Sequence, residues 1–287
     1  LKPTSRLAVR ASACHRWALI AMATMLSPLA SAATFNLVPG VADGAAGSLR
    51  AAIILANANG EDDVINLAAG NYSLTIVNAA GQENAGAQGD LDITEVGFSV
   101  TIQGAGAATT SISQSAIDRL FQVFPGTTLN LNGVTISLGT AVDDGSAGAP
   151  ALSGGRGGGI LNGGGTLSLS GSIVQNNIAQ GAAAGTDGGG GIYQLSGATT
   201  LSGGTQILDN HANRNAGSGG GIFIASGTLT VQSNTVIDRN IANRAGGGIE
   251  IVTGTANISG GGTVIRMNQA LGVGGVPGTG GNGGGLH

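Results

Sequence analysis

The chain has 287 residues, of which 55 are glycine, 9% are charged and 3% are aromatic. Because 41% of the residues are hydrophobic and the mean hydropathy is +0.26, the composition excludes a disordered linker despite the abundant glycine. Residues 34–287 contain seven basic and fifteen acidic residues, a net charge of −8, and no lysine. Such a surface is a poor partner for nucleic acid or anionic lipid, so nucleic-acid binding is excluded.

Residues 1–33 have the composition of a secretory signal peptide. Four basic residues accompany the apolar run WALIAMATMLSPLA, and residues 30–32 form an Ala-Ser-Ala cleavage site. The run is short for a bilayer-spanning helix, so an N-terminal membrane anchor is the less favoured alternative. The only cysteine, Cys14, lies in this segment, which leaves the mature chain without disulfides.

Residues 34–60 are predicted to form an N-terminal cap that contains one short helix. Ser48 is a favourable N-cap, the residues from Leu49 to Ala56 include good helix formers, and the Asn59-Gly60 pair is a natural stop. A short amphipathic helix ahead of a strand-rich repeat would cover the open end of its core.

Residues 61–156 are predicted to form irregular coils of short strands. Apolar and β-branched residues predict strands at five places, which are residues 64–67, 72–77, 99–102, 120–123 and 128–136.

Residues 157–287 contain a regular internal repeat. Three glycines precede an aliphatic residue at positions 160, 192, 222, 249 and 286. A second apolar alternation follows the first four, starting at Thr166, Thr199, Thr228 and Ala256. An aliphatic-x-x-Asn-x-Ala segment comes next, with its asparagine 17 to 19 residues after the first aliphatic residue. The segment from that alanine to the next glycines varies from 3 to 12 residues, so the length variation falls at one corner of a solenoid.

A period of about thirty residues with short β-branched alternations is typical of an all-β parallel β-helix with three short strands in each coil. A helical repeat is excluded by the glycine content, and a calcium-binding solenoid would repeat every nine residues with a regular aspartate. The glycine triplets are expected at a sharp turn that needs positive φ and close backbone approach. If each repeat is one coil, Asp238 faces Arg266 and Asp209 faces Arg239, one strand spacing of ~4.8 Å apart.

Three segments resemble the CSLREA-type domain of secreted bacterial β-helix proteins. They are GSLRAAIILANANGEDDVINLAAGNYSLT (47–75), GDLDITEVGFSVTIQGAGAATTSI (89–112) and DRLFQV (118–123). Gly47 and Ala51 stand where that motif has its cysteine and glutamate, so nothing is carried over from those two residues. The glycine repeats resemble polymorphic outer-membrane-protein repeats, with Ile or Val in place of phenylalanine. The resemblance covers residue 35 to the end and implies an exported, right-handed parallel β-helix without assigned chemistry.

A polysaccharide lyase or hydrolase built on this β-helix would need clustered carboxylates for its chemistry. Asp90 and Asp92 would share one face of a strand, but they are interpreted as a solvated turn. Residues 61–63, Glu-Asp-Asp, are interpreted as a solvated loop. The pair Asp143-Asp144, together with Arg156, precedes the first glycine triplet, where a binding lip is possible but simple exposure is favoured.

The remaining candidate residues are assigned structural roles. The histidines His15, His211 and His287 show no metal-ligand spacing. Four asparagines recur with the repeat and are predicted to form an amide ladder, namely Asn177, Asn210, Asn240 and Asn268. Most of the few aromatic side chains after the signal segment are expected to be buried, and these residues are Phe35, Tyr72, Phe98, Phe121, Phe124, Tyr193 and Phe223. The sequence therefore predicts no catalytic, cofactor-binding or metal-binding residue.

The sequence favours a secreted or surface-displayed β-helix with a structural or adhesive role, whose extracellular ligand is a carbohydrate or a protein surface. A carbohydrate-active β-helix enzyme is the first alternative. An autotransporter passenger is the second, and it would be held at the outer membrane through a region beyond His287. Because no capping segment follows Gly285, the chain is also expected to be a fragment that self-associates through this end.

Overall fold

The structure is a computed structural model that describes residues 32–78, 81–150, 153–180, 187–213, 217–272 and 281–287. The signal peptide predicted for residues 1–33 lies outside these residues, except for its last two positions. No helix among the described residues is long and apolar enough to cross a membrane.

The part before the glycine repeats contains one helix and ten strands among its described residues. In chain order these are β1 (Thr34–Leu37), α1 (Leu49–Ala56), β2 (Asp63–Leu67), β3 (Gly70–Leu74), β4 (Leu91–Ile93), β5 (Ser99–Gly104), β6 (Thr110–Gln114), β7 (Phe121–Val123), β8 (Thr128–Asn132), β9 (Thr135–Ser137) and β10 (Thr140–Ala141). Strands β1, β4, β6 and β10 were not predicted. The strand predicted for residues 128–136 divides into β8 and β9 because Gly133 adopts φ +61° between them.

The glycine repeats supply sixteen further strands among the described residues. These are β11 (Ile160–Asn162), β12 (Thr166–Ser170), β13 (Ile173–Gln175), β14 (Ile178–Ala179), β15 (Ile192–Gln194), β16 (Ala198–Ser202), β17 (Gln206–Leu208), β18 (His211–Ala212), β19 (Ile222–Ile224), β20 (Thr228–Val231), β21 (Val236–Asp238), β22 (Ile241–Ala242), β23 (Ile249–Ile251), β24 (Thr255–Ile258), β25 (Val264–Arg266) and β26 (Gln269–Ala270).

These strands stack into four parallel sheets, each taking one strand from successive coils. The first sheet has the order β1-β2-β5-β8-β12-β16-β20-β24, the second β3-β6-β9-β13-β17-β21-β25, the third β4-β7-β11-β15-β19-β23 and the fourth β10-β14-β18-β22-β26. The predicted parallel β-helix is confirmed. Each regular coil adds a two-residue strand of the fourth sheet to the three strands expected, and the right-handed sense stays a prediction from the resemblance.

Inward aliphatic side chains of successive coils form one continuous core. In the third sheet, Ile160, Ile192, Ile222 and Ile249 are paired in register and fully buried. The core runs without interruption from Leu37 to these residues. Burial of this apolar surface is the main favourable contribution to folding, because each coil covers the apolar face of the coil below it.

Helix α1 closes the N-terminal end of this core, as predicted. The Ser48 side chain accepts a hydrogen bond from the backbone N–H of Ala51 at 3.1 Å, which fixes the first turn. The apolar face of the helix, with Leu49 and Ile53 at its centre, belongs to the main core. The predicted capping helix is therefore confirmed, both in its N-cap at Ser48 and in its packing against the core.

The glycine triplets turn the chain into the third sheet. The first glycine of each described triplet is left-handed, with φ between +57° at Gly283 and +68° at Gly157. The second glycine fails to tolerate a side chain for another reason, since a Cβ on Gly190 would overlap the carbonyl oxygen of Gly220 in the next coil. Both requirements recur in the four triplets from Gly157 to Gly248, which explains why the costly triplet recurs.

A second corner, after the second sheet, is occupied by residues other than glycine. The left-handed residues there, with φ between +51° and +67°, are Leu138, Asn176, Asp209, Arg239 and Met267. The predicted register is confirmed, because Asp238 pairs with Arg266 and their side chains approach to 3.4 Å. Asp209 accepts from Arg239 at 2.8 Å. The Asp209–Arg239 pair is exposed and mainly marks the register, whereas the Asp238 carboxylate is buried beside the exposed guanidinium of Arg266.

Met267 is the position of this corner where a substitution should stabilise the protein. Its φ is +51° and 67% of its surface is exposed, so its side chain gains little from packing. Left-handed backbone costs most L-residues about 1–2 kcal/mol, whereas asparagine adopts it readily. We expect Met267→Asn to raise the free energy of unfolding in urea by about 1 kcal/mol. The reverse change at an exposed position of the same corner, Asn176→Met, should lower it, and equal stabilities would contradict the argument.

In the first sheet, the strand register differs from the alignment of the repeats made in the sequence analysis. Ala198 and Thr255, rather than Thr199 and Ala256, align with Thr166 in the first sheet. Thr199 therefore takes an inward, fully buried position, where its hydroxyl lies 3.4 Å from the Asn162 amide nitrogen. Alternation alone misses this shift because threonine suits either face of a strand.

Candidate functional site

The third sheet has a buried outer face. Its strands alternate, so the middle residue of each points away from the main core. We call these residues the outer column, and they are Asp92, Gln122, Leu161, Tyr193, Phe223 and Glu250. All six are buried, and Gly145 lies against Leu161 and Gln122 on this face. One such contact is the hydrogen bond from Gln122 Nε2 to the carbonyl of Gly145, at 2.9 Å.

The middle of the outer column is apolar. The rings of Tyr193 and Phe223 stack with their centroids 4.8 Å apart and their planes 4° from parallel. Arg156 places its guanidinium 5.5 Å from the centre of the Tyr193 ring. Stacked aromatic pairs add about 0.5–1.5 kcal/mol beyond burial. Together with Leu161, the two rings form a second, smaller core on the outer face of the sheet.

The N-terminal end of the outer column is charged. We call Asp90, Asp92, Asp118, Asp143 and Arg119 the acidic cluster. Asp90 and Asp92 flank the first residue of β4, and Asp118 and Arg119 precede β7. The interpretation of Asp90 and Asp92 as a solvated turn was wrong, because both residues are 0% exposed. The loop of residues 81–90 folds back over the start of β4, where Gly86 N–H donates to Asp92 and the Gln82 side-chain amide donates to Asp90.

Arg119 is the centre of the acidic cluster and is itself fully buried. Its guanidinium donates to Oδ2 of Asp90 at 3.4 Å, and to the carbonyl and carboxylate oxygens of Asp143. It also donates to the side-chain oxygen of Gln122 at 3.3 Å and, from Nε, to the carbonyl of Arg156. Residues of three coils are thus tied together by one side chain, which explains how the cluster can be buried at all.

Arg50 likewise joins several segments at the N-terminal cap. This buried side chain of α1 pairs with Asp43 at 2.8 Å. It also donates to the carbonyl oxygens of Gly86, Gly89 and Asp90, at 2.7 to 2.9 Å. The helix that closes the core therefore also fixes the loop that carries the acidic cluster.

Three carboxyl groups of the acidic cluster have raised pKa values. Burial, followed by the charge of Asp90, raises the pKa of Asp92 to about 9. Burial and the same neighbour raise the pKa of Asp118 to about 8. Burial also raises the pKa of Asp90, against the lowering effect of Arg119. Four carboxyl groups face one guanidinium, and protonation relieves the excess negative charge.

A pocket of about 620 Å³ opens beside the acidic cluster, between residues 77–78 and 81–82 on one side and residues 142–150 on the other. Backbone hydrogen bonds join the two segments, from Gln82 N to Ala149 O at 3.2 Å and from Gly148 N to Gln82 O at 2.7 Å. Its polar lining is Asn78, Gln82 and Asp143, and its apolar rim includes Val77, Ile117, Val142 and Pro150. The acidic cluster thus reaches the surface through Asp143.

The other predicted acidic positions fall in two groups. Asp62 is exposed, as predicted, and accepts hydrogen bonds from the N–H and hydroxyl of Ser99. Asp63 is buried in β2, so the solvated-loop interpretation is wrong for this residue. Simple exposure is also wrong for Asp143, which is buried and lines the pocket. Its neighbour Asp144 is half-buried and lies 3.9 Å from Arg156.

The predicted asparagine ladder is confirmed. Oδ1 of each later asparagine accepts from the backbone N–H and the side-chain amide of the asparagine one coil earlier, as Asn210 does from Asn177 at 3.1 and 3.0 Å. Each amide also donates to a backbone carbonyl, that of Asn210 to Val174 at 2.9 Å. The ladder continues through Asn240 to Asn268 with distances of 2.9 to 3.0 Å.

The histidines and aromatic residues that the structure describes take structural positions, and His15 lies outside the described residues. His287 lies 3.0 Å from Glu250 at the end of the outer column, and His211 lies 3.4 Å from Asn243. No group of three or more His, Cys, Asp or Glu side chains within the described ranges could hold a metal ion. Tyr72 and Phe121 are buried, as are the two stacked rings, whereas Phe98 is exposed and departs from the expectation.

Sequence reasoning missed Arg50, Arg119, Asp118 and Gln82. One signal was available: residues 34–287 contain only seven basic residues, and two of them stand in segments rich in apolar residues, LRAAIILA and DRLFQV. An arginine surrounded by residues destined for a core must find carboxylates there.

No family model matches the chain, and no match is found among curated proteins or among solved structures.

Proposed function

We propose that this protein is an exported, surface-displayed or secreted β-helix that serves as a structural or adhesive scaffold. The observation that carries the proposal is the use of its buried charges. Arg119 and Arg50 join the acidic cluster and its loop to several coils, so the carboxylates hold loops on a rigid solenoid. The signal-peptide composition and the resemblance to secreted β-helix proteins support export. A rigid solenoid is suited to presenting an extended binding surface.

A carbohydrate-active enzyme is the second candidate, and the raised pKa values of Asp92 and Asp118 favour it. A general acid must keep its proton near neutral pH, as these groups do. However, both residues are buried and accept hydrogen bonds from the backbone, Asp92 from Gly86 N at 2.7 Å and Asp118 from Asp90 N at 3.1 Å. Groups placed in this way stabilise the loop, so the scaffold is the better supported function.

Export and catalysis can be tested separately on the full chain. An epitope-tagged chain expressed in a bacterium should reach the medium or the protease-accessible cell surface, and retention in the cytoplasm would count against export. Purified protein should release no products from polygalacturonate or other acidic polysaccharides, with or without calcium.

If products do appear, a matched pair of variants distinguishes the enzyme from the scaffold. Asp143 lines the pocket, whereas its neighbour Asp144 lies outside that lining, and each accepts a hydrogen bond from a backbone N–H two residues later. Activity that is lost in Asp143→Asn and kept in Asp144→Asn would establish the enzyme and overturn the scaffold.

A further inference from the structure

The outer face of the first sheet carries a regular array of small, uncharged polar side chains. Side chains alternate along a strand, so in β12 Leu167 and Leu169 lie in the core while Thr166, Ser168 and Ser170 point outward. We call the outward side chains of all eight strands of this sheet the polar face, and the strands are β1, β2, β5, β8, β12, β16, β20 and β24. Every residue of these strands belongs to the described part of the chain.

The rows of the polar face stay in register from the first strand to the last. Each of the seven junctions pairs residues one to one in parallel, as Ser168 pairs with Thr200 and Thr200 with Thr230. Of the twenty outward positions, eighteen are Ser, Thr, Asn or Gln, and the other two are Val64 and Ala198. Neighbouring rows are therefore about 4.8 Å apart, and alternate residues within a row are about 6.6 Å apart.

Among its twenty described positions, the polar face has no charged and no aromatic side chain. This composition is unusual, because about a quarter to a third of a protein surface is ordinarily charged and residues 34–287 carry a net charge of −8. Aromatic residues and arginine anchor protein–protein interfaces, and basic residues anchor contacts with nucleic acid. The partner that complements the polar face is therefore uncharged and is held by many small hydrogen-bonding groups.

Most hydroxyl groups of the polar face are available to a partner. Within the described residues, the hydroxyls of Ser168, Thr200 and Thr230, at the centre of the face, form no hydrogen bond with the protein. Ser99 differs, because its hydroxyl donates to the exposed carboxylate of Asp62 at 2.9 Å. Each hydroxyl can donate one hydrogen bond and accept two, so the face offers donors and acceptors in a repeating pattern.

A partner gains from this pattern only if the partner repeats as well. One hydroxyl that exchanges water for a partner changes the free energy little, because equivalent hydrogen bonds are exchanged. Many such bonds to one rigid partner add up, since each further bond forms within the same complex. Ice is a partner of this kind, because its water molecules are uncharged, donate and accept hydrogen bonds, and repeat in a lattice. Small organic ligands, sugars included, instead bind concave sites lined by apolar and aromatic side chains.

We propose that the polar face of the first sheet binds ice, and that the hydroxyl rows of β12, β16 and β20 make the central contacts. The inference adds a ligand to the proposed scaffold and rests on that function only for its use outside the cell. Binding by purified protein is independent of export, so either proposal can fail without the other.

The test is incorporation of the purified full chain into slowly growing ice, measured as the protein concentration in the ice relative to that in the remaining liquid. In Thr200→Lys, a strongly hydrated ammonium at the centre of the face should keep the lattice away. Thr140→Lys, on the fourth sheet, is the matched control, because both threonines are half-buried strand residues whose side chains form no hydrogen bond with the described protein. We expect the wild type and Thr140→Lys to concentrate in ice about tenfold or more above Thr200→Lys.

Exclusion of the wild type from ice would overturn the proposal. Equal incorporation of the three proteins would also overturn it, because it would show trapping rather than binding. Binding to insoluble cellulose or chitin that is lost in Thr200→Lys, without incorporation into ice, would identify a neutral polysaccharide as the partner instead. Thermal unfolding followed by circular dichroism checks the fold of each variant, and Thr230→Lys, in the next row, replaces Thr200→Lys if that variant unfolds at a lower temperature.

Discussion

The variant Asn210→Leu is expected to lose about 3–5 kcal/mol of the free energy of unfolding, because several buried partners lose their hydrogen bonds at once. Asn210 Oδ1 accepts from the backbone and side chain of Asn177, while its amide donates to Val174 O and to Asn240 Oδ1. Leucine has a similar volume, so the effect reports the hydrogen bonds rather than a cavity. Urea unfolding measures the loss, and hydrogen exchange should show a faster-exchanging Asn177 amide.

The matched control is Asn268→Leu at the last rung described. Asn268 makes the same bonds toward the preceding coil but is partly exposed, so water can replace its amide. We expect a loss of only about 1–2 kcal/mol there. Equal losses in the two variants would mean that the ladder is not stabilised by its burial, and an unchanged Asn177 amide in Asn210→Leu would refute the assigned contacts.

The coil was predictable from the sequence wherever the same backbone conformation or hydrogen bond recurs and one residue type provides it. Glycine at positive φ and buried asparagine at a turn recur with the coil, so their spacing predicts the register of Asp238 against Arg266. Helix α1 was predictable for the same reason, since its cap at Ser48 is a local signal. Each of these features depends on residues close together in the chain or equivalent in the repeat.

The acidic cluster was not predictable because its burial depends on partners far along the chain. Arg119 reaches Asp90 across 29 residues, and Arg50 reaches the carbonyl of Asp90 across 40. Read alone, the pair Asp90 and Asp92 between glycines and a polar stretch is typical of a solvated turn. The outer column was missed for a related reason, because alternation predicts which face a side chain occupies but not whether a loop covers that face.

Raised carboxyl pKa values make the stability of the fold dependent on pH above neutrality. Asp92 faces Asp90, Glu83 and Arg119, and Asp118 faces Asp90, Asp143 and Arg119. In the unfolded chain these groups titrate near 4. With folded values of about 9 and about 8, the folded state binds more protons than the unfolded state from pH 4 upward. Their contribution is complete below pH 4 and is lost as the pH rises through the folded values.

The protein should therefore be less stable at pH 9 than at pH 7, by about 4 kcal/mol in the free energy of unfolding. The interval lies above the range in which His211 titrates, since burial lowers the pKa of that residue. Asp92→Asn keeps the shape of the side chain and removes its proton, so we expect it to flatten the pH dependence by about 2 kcal/mol. Asp62→Asn, at an exposed carboxylate, should leave the slope unchanged. A stability that rises from pH 7 to pH 9, or an equal slope in Asp92→Asn, would show that the cluster is ionised in the folded state.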